Sequence, residues 1–71
     1  MRDINRIDNF CNRLATAWKN VPDYRFGQFM CIILGEYAYQ TKMDPFFPEE
    51  EEMISFIEKW TDEHSIYNQE V

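Results

Sequence analysis

Apolar residues recur at steps of three and four along three segments of the chain, which is the spacing of one face of an α-helix. The segments span roughly 3–19, 24–42 and 48–65, and the breaks between them contain Pro22 and Pro45. No stretch has the alternation and turn chemistry of a strong sheet. Short connections favour antiparallel neighbours, so the pattern predicts an all-α fold, a compact three-helix bundle.

The first two segments differ in how much of the helix surface is apolar. The first carries a single stripe from Ile4 to Trp18. The second is apolar around most of its middle, which is typical of the central, most buried helix. Its apolar residues are Phe26, Phe29, Met30, Cys31, Ile32, Ile33, Leu34, Tyr37 and Ala38. Gly27 and Gly35 lie near one face and predict a close helix–helix approach, since each Gly costs a helix about 1 kcal/mol relative to Ala.

The third segment begins in a run of four glutamates, Glu49, Glu50, Glu51 and Glu52. Pro48 suits the first helical position, and carboxylates in the first turn interact favourably with the helix dipole. Phe46 and Phe47 just before the run predict a hydrophobic staple. An exposed aromatic anchor for a partner is the alternative interpretation. The last residues, about 66–71, are expected to fray.

Length and composition limit the class of protein. The chain has 71 residues, of which 45% are hydrophobic and 17% aromatic, so it forms one small domain over 1–71 and is not intrinsically disordered. A core of this size leaves little margin of stability. Self-association into a homo-oligomer is therefore a further expectation.

The charge is divided unevenly along the chain. The net charge is −6, and the first 42 residues hold six basic and four acidic residues, whereas the last 29 hold one and nine. An acidic protein of this kind is a poor general binder of nucleic-acid backbones, which require a basic patch. The distribution favours a protein partner with a basic surface.

Residue types that carry catalysis or bind metals are sparse. His64 is the single histidine, and its neighbours Asp62 and Ser65 cannot form a triad on one helix, because a triad is assembled from distant positions. The chain has no phosphate-binding loop, no dinucleotide fingerprint and no H-E-x-x-H. The sequence therefore predicts no enzymatic activity, no cofactor and no metal site.

The cysteines and the hydropathy pattern bear on location. Cys11 and Cys31 lack a C-x-x-C spacing and are expected to be small buried hydrophobes. The first ten residues contain no apolar core of a secretory signal, and no run reaches the ~18 apolar residues of a membrane helix. A cytoplasmic protein without membrane contact is expected, which means the host cytoplasm if the gene belongs to a phage.

The run from Trp18 to Gln28, together with Asp44-Pro45-Phe46-Phe47 and the glutamates, resembles a set of short uncharacterised proteins encoded in bacterial, phage and prophage genomes. Their pattern is W-x-x-x-P-D-x-R-F-G-Q, a hydrophobic helix, D-x-F-[FY]-x-E-[DE]-[DE] and an amphipathic helix. The resemblance implies a small helical protein in a mobile-element context, with no established activity and no catalytic residue to carry over. Pro48 stands where those proteins often have an aliphatic residue.

The leading functional hypothesis is a non-catalytic helical protein that binds another protein. Its candidate surface consists of Tyr24, Arg25, Gln28, Phe47, Glu49, Glu50, Glu51 and Glu52. One alternative is a nucleic-acid mimic that inhibits a host DNA- or RNA-binding enzyme through the acidic last third. Another is a direct nucleic-acid binder that uses the cations of the first helix, Arg2, Arg6, Arg13 and Lys19.

Overall fold

The three predicted segments are helices in the computed structural model of the protein, which describes residues 2–68. The helices are α1 (Asn5–Trp18), α2 (Phe26–Thr41) and α3 (Glu50–Glu63), and a 3₁₀ turn follows at Ile66–Asn68. Within 2–68 there is no strand, so the all-α three-helix prediction is confirmed. Each helix begins two residues later than predicted and ends one or two residues earlier.

The helices run up, down and up. Arg2 lies beside Glu49 at one end of the bundle, with Nη1 2.7 Å from Oε2. At the other end, the backbone N–H of Ile66 donates to the carbonyl of Asn20 at 3.0 Å. The first and last helices are therefore parallel and pack closely against each other. α2 returns between these two ends, which we name by their connections: the 18–26 end and the 42–50 end.

The core lies along the seam where the three helices meet. α2 contributes Phe29 and Ile33, neither of which has any exposed surface, and α3 contributes Ile54, Ile57 and Trp60. The indole of Trp18 stacks on Phe29 with ring centroids 5.7 Å apart. Aromatic packing of this kind gives a small core much of its buried area.

α2 is not the most buried helix, contrary to the prediction. Only Phe29, Ile33 and Tyr37, one helical turn apart, are buried on it, and Leu34 keeps 41% of its surface exposed. A side chain added at Gly27 or at Gly35 would meet nothing within 4 Å. The close approach predicted for the glycines is therefore wrong within this chain, because two helices can cover only one face of a third.

The chain turns between the C-terminal end of α2 and the N-terminal end of α3. Lys42 ends α2 in the left-handed region, with φ 60° and its ammonium 4.6 Å from the ring centroid of Tyr39. Glu49 is extended (ψ 162°) and caps α3, so Pro48 lies outside the helix and the prediction that it occupies the first helical position is wrong.

The segment after α3 is held against the first connection. Besides the Ile66–Asn20 backbone bond, the Ser65 hydroxyl lies 3.3 Å from the side-chain Oδ1 of Asn20, and Ser65 is buried. The first part of the segment predicted to fray, Ile66–Asn68, is thus a 3₁₀ turn bonded to the first connection, and fraying itself stays a prediction. The rest of that prediction, 69–71, lies outside the described residues.

Candidate interaction surface

Arginines of α1 and its preceding residues engage the acidic run through ion pairs. The guanidinium of Arg2 donates two hydrogen bonds to the carboxylate of Glu49, at 2.7 and 2.9 Å. The Nε of Arg6 donates to Oε1 of Glu50. Because α1 and α3 are parallel, residues near the start of one face residues near the start of the other. The acidic run is thus partly neutralised by the chain itself.

Arg13 makes the most extensive of these contacts. Its guanidinium donates to both carboxylate oxygens of Glu58, at 2.9 and 2.6 Å, and to Oε2 of Glu51 at 2.7 Å. A planar guanidinium suits two-point binding of a carboxylate, which fixes the alignment of the two helices. The pair lies at the half-buried margin of the α1–α3 seam.

These contacts shift the pKa of two carboxyl groups. The hydrogen bonds from Arg13, assisted by its charge and opposed by burial, lower the pKa of Glu58. Burial alone would raise the pKa of Glu50, but the hydrogen bond from Arg6 and nearby positive charge outweigh it and lower the pKa. Hydrogen bonds to Glu58 and Glu51 raise the pKa of Arg13 above its ordinary value. All three groups are charged at neutral pH.

The glutamates of the predicted surface therefore differ in availability. Glu49, Glu50 and Glu51 are each paired with an arginine, whereas Glu52 is exposed and makes no ion pair within the described chain. The same pairs occupy Arg2, Arg6 and Arg13, the cations on which direct nucleic-acid binding was predicted to depend. Of that set, Lys19 alone has no such pair among residues 2–68.

The remaining predicted surface residues lie elsewhere on the molecule. Tyr24, Arg25 and Gln28 are at the 18–26 end, where the Gln28 side chain accepts the backbone N–H of Arg25 at 3.0 Å. The carbonyl of Tyr24 accepts the indole N–H of Trp18 at 2.9 Å. The 16 residues of α2 separate this group from the glutamates by roughly 24 Å. The predicted surface is therefore two surfaces, and Arg25 forms no ion pair with the 44–52 region.

The connection at the 42–50 end presents large apolar side chains to solvent. Phe46 is 84% exposed and Phe47 69% exposed, their rings meet edge to face at 5.3 Å, and Met43, three residues before Phe46 in the chain, is also exposed. A hydrophobic staple would cover at least one of these rings, so that interpretation is wrong. We call Met43, Phe46 and Phe47 the aromatic cluster.

A local turn holds the aromatic cluster in place. The carboxylate of Asp44 accepts the backbone N–H of Phe46 at 2.9 Å, and its carbonyl accepts that of Phe47 at 3.2 Å. Asp-Pro is a turn signal, and a turn of this kind points consecutive side chains outward. Ile4 and Ile7, both exposed, lie at the same end of the bundle. Of the aromatic cluster, the predicted surface included Phe47 but neither Met43 nor Phe46.

The histidine and the cysteines are placed differently from one another. The His64 ring stacks on Trp60 with centroids 4.0 Å apart, and its Nδ1 lies 2.8 Å from the Trp60 carbonyl oxygen. Cys11 and Cys31 are free and exposed, so the prediction that they are buried is wrong. The described part of the chain holds no group of three or more side chains suited to a metal ion.

No protein-family model, curated protein or solved structure matches this chain. Among the described residues, no helix is long and apolar enough to cross a membrane. The likeness to short phage and prophage proteins stays a prediction from the sequence.

Proposed function

We propose that this protein is a non-catalytic binding module whose partner is another protein, engaged through the aromatic cluster. The observation that carries the proposal is the exposure of Phe46 and Phe47 on a turn anchored by Asp44. Aromatic residues and Met are enriched at protein interfaces, and energetically important positions are often rings that enter a pocket on the partner.

The surroundings of the cluster define the partner's chemistry. Asp44 supplies a carboxylate within the turn, and Glu52 is an exposed acid in the first turn of α3, while Glu49 and Glu50 are held by arginines of the chain itself. A partner with an apolar pocket and a few basic residues around it fits this arrangement better than a uniformly basic surface. The resemblance to mobile-element proteins adds the proposal that this partner is a host or phage protein.

The test compares two ends of the molecule. The variant Phe46→Ala/Phe47→Ala removes the aromatic cluster, and Tyr67→Ala is the matched control, because Tyr67 is 74% exposed at the opposite end. Each protein is immobilised and exposed to host extract, and the retained proteins are identified by mass spectrometry. We expect a partner that the native chain and Tyr67→Ala retain equally and that the double variant retains at least about tenfold less.

Retention of the same proteins by all three chains would contradict the proposal. Both substitutions change exposed side chains, so circular dichroism of the variants should match that of the native chain. A partner lost only with Tyr67→Ala would assign binding to the other end of the bundle.

A further inference from the structure

The outer face of α2 is uncharged, mostly apolar and, apart from the half-buried Ala38, exposed. Its residues lie on the side of the helix opposite Ile33: Gly27, Gln28, Cys31, Leu34, Gly35, Ala38 and Tyr39. The other two helices present charged side chains on their outer sides, including Asp8 on α1 and Lys59 on α3. Large apolar faces without charge are rare on monomeric soluble proteins and typically mark interaction sites.

The middle of this face is formed by small side chains, so the helix surface is recessed there. Gly27, Cys31 and Gly35 follow one another at one-turn intervals, and both glycines border open space. Leu34 and Tyr39 stand beside this line of small residues and are exposed. A second helix can approach such a line more closely than it can approach a face of large side chains.

We propose that a second copy of this chain packs its α2 antiparallel against this face, with the two-fold axis passing beside Cys31. The spacing is symmetric about that residue, because Gly27 and Gly35 are each four positions away. In a two-fold dimer Gly27 of one copy therefore faces Gly35 of the other, and Cys31 faces Cys31. Two-fold dimers bury the same patch on both subunits, and this patch is self-complementary.

The distribution of charge favours a second copy of this chain over other partners for the outer face of α2. The protein carries a net charge of −6, so copies repel one another on most faces, but α2 contains one charged residue, Glu36. The antiparallel register also brings Lys42 of one copy near the 20–23 connection of the other, which contains Asp23. Lys42 is already held over Tyr39 at that edge of the face.

The size of the face predicts a weak dimer. A 16-residue helix is about 24 Å long, and a strip of this length buries roughly 500 Å² per copy. A total of about 1,000 Å² is the lower limit for a specific interface. We therefore expect a dissociation constant on the order of 10–100 μM. This dimer does not rest on the proposed function, since the aromatic cluster lies outside the α2 face.

Cross-linking through each cysteine separately tests the register. Cys11→Ser retains only the thiol on α2, and Cys31→Ser retains only the thiol on α1; both cysteines are exposed. A short bis-maleimide should link Cys11→Ser into a covalent dimer and leave Cys31→Ser monomeric at the same concentration. Analytical ultracentrifugation of the native chain in reductant should show a mass that rises with protein concentration.

A second pair of variants separates dimer loss from misfolding. Gly35→Leu fills the open space at the face, and Ala15→Leu is the control at an exposed position on α1. Gly35→Leu should raise the dimer dissociation constant at least about tenfold with unchanged helical circular dichroism, and Ala15→Leu should leave it unaltered. A constant monomer mass up to about 1 mM, cross-linking through Cys11 instead of Cys31, or a dimer insensitive to Gly35→Leu would each overturn the proposal.

Discussion

The α1–α3 seam and the outer face of α2 differ in the side chains that form them and in whether another helix covers them. Beside the seam, Arg13 binds Glu58 and Glu51 while Ile54 and Ile57 fill the interior. The outer face of α2 is apolar and has neither a charge nor a covering helix. Two amphipathic helices can satisfy both of their sides within one small chain, whereas a helix that is apolar all round cannot. That surplus of apolar surface is the basis of the proposed dimer.

The largest difference in stability between the two regions is expected for truncation of a side chain inside the seam. Phe29→Ala should lower the free energy of unfolding by about 3–5 kcal/mol, because Phe29 is fully buried and its ring stacks on Trp18. Leu34→Ala, on the outer face of the same helix, should cost less than about 1 kcal/mol in dilute solution. Urea unfolding followed by circular dichroism measures both. Equal losses would mean that the outer face of α2 is covered in the monomer.

Replacement of a glycine on the outer face of α2 should stabilise the monomer instead of destabilising it. Gly35→Ala should raise the free energy of unfolding by about 1 kcal/mol, since alanine is the better helix former and its Cβ meets nothing within 4 Å. The measurement is thermal or urea unfolding in dilute solution, well below the dissociation constant expected for the proposed dimer. At high concentration the gain should shrink if the same substitution weakens the dimer. Destabilisation in dilute solution would show that this position is crowded.

The smallest expected effect is the loss of folding stability at low pH. The pKa values of Glu50 and Glu58 are lowered in the folded chain, so their contribution to stability is fully present above the unfolded value, about 4.3. That contribution is lost as the pH falls through the folded pKa values. The midpoint of thermal unfolding should therefore decline between about pH 5 and 3, and less steeply in Arg13→Leu.

This acid effect is modest because the ion pairs are partly exposed and screened by salt. Added salt at pH 7 should reduce the difference between the native chain and Arg13→Leu. Lys19→Leu is the matched control, since Lys19 forms no ion pair within residues 2–68. Identical pH profiles for the native chain and Arg13→Leu would show that the pair does not form in solution.

The existence and extent of the helices followed from the sequence, whereas the choice of buried face on α2 did not. Pro22 and Pro45 mark the connections, and the apolar period between them sets the helix ends to within two residues. On α2 nearly every middle position is apolar, so periodicity alone cannot select Phe29, Ile33 and Tyr37 over Leu34 and Cys31. That choice depends on where α1 and α3 lie.

The candidate surface was harder to predict for a related reason. Whether Glu49 and Glu50 face a partner or the chain's own Arg2 and Arg6 depends on α1 and α3 being parallel neighbours, and the pairs join residues 44 or more positions apart. Local spacing does not contain that relation. The exposure of Phe46 could have been inferred from Asp44-Pro45. This turn signal places Phe46 in a turn before α3, where its ring does not reach the first turn of that helix to form a hydrophobic staple.

The parallel pairing of the first and last helices bears on how the protein is synthesised. α1 and α2 are synthesised before Ile54, Ile57 and Trp60, and those side chains form a large share of the core. A nascent chain that ends before α3 therefore exposes Phe29 and Ile33 together with the outer face of α2. The core is accordingly complete only when α3 packs against α1, through contacts between residues that lie far apart in the sequence.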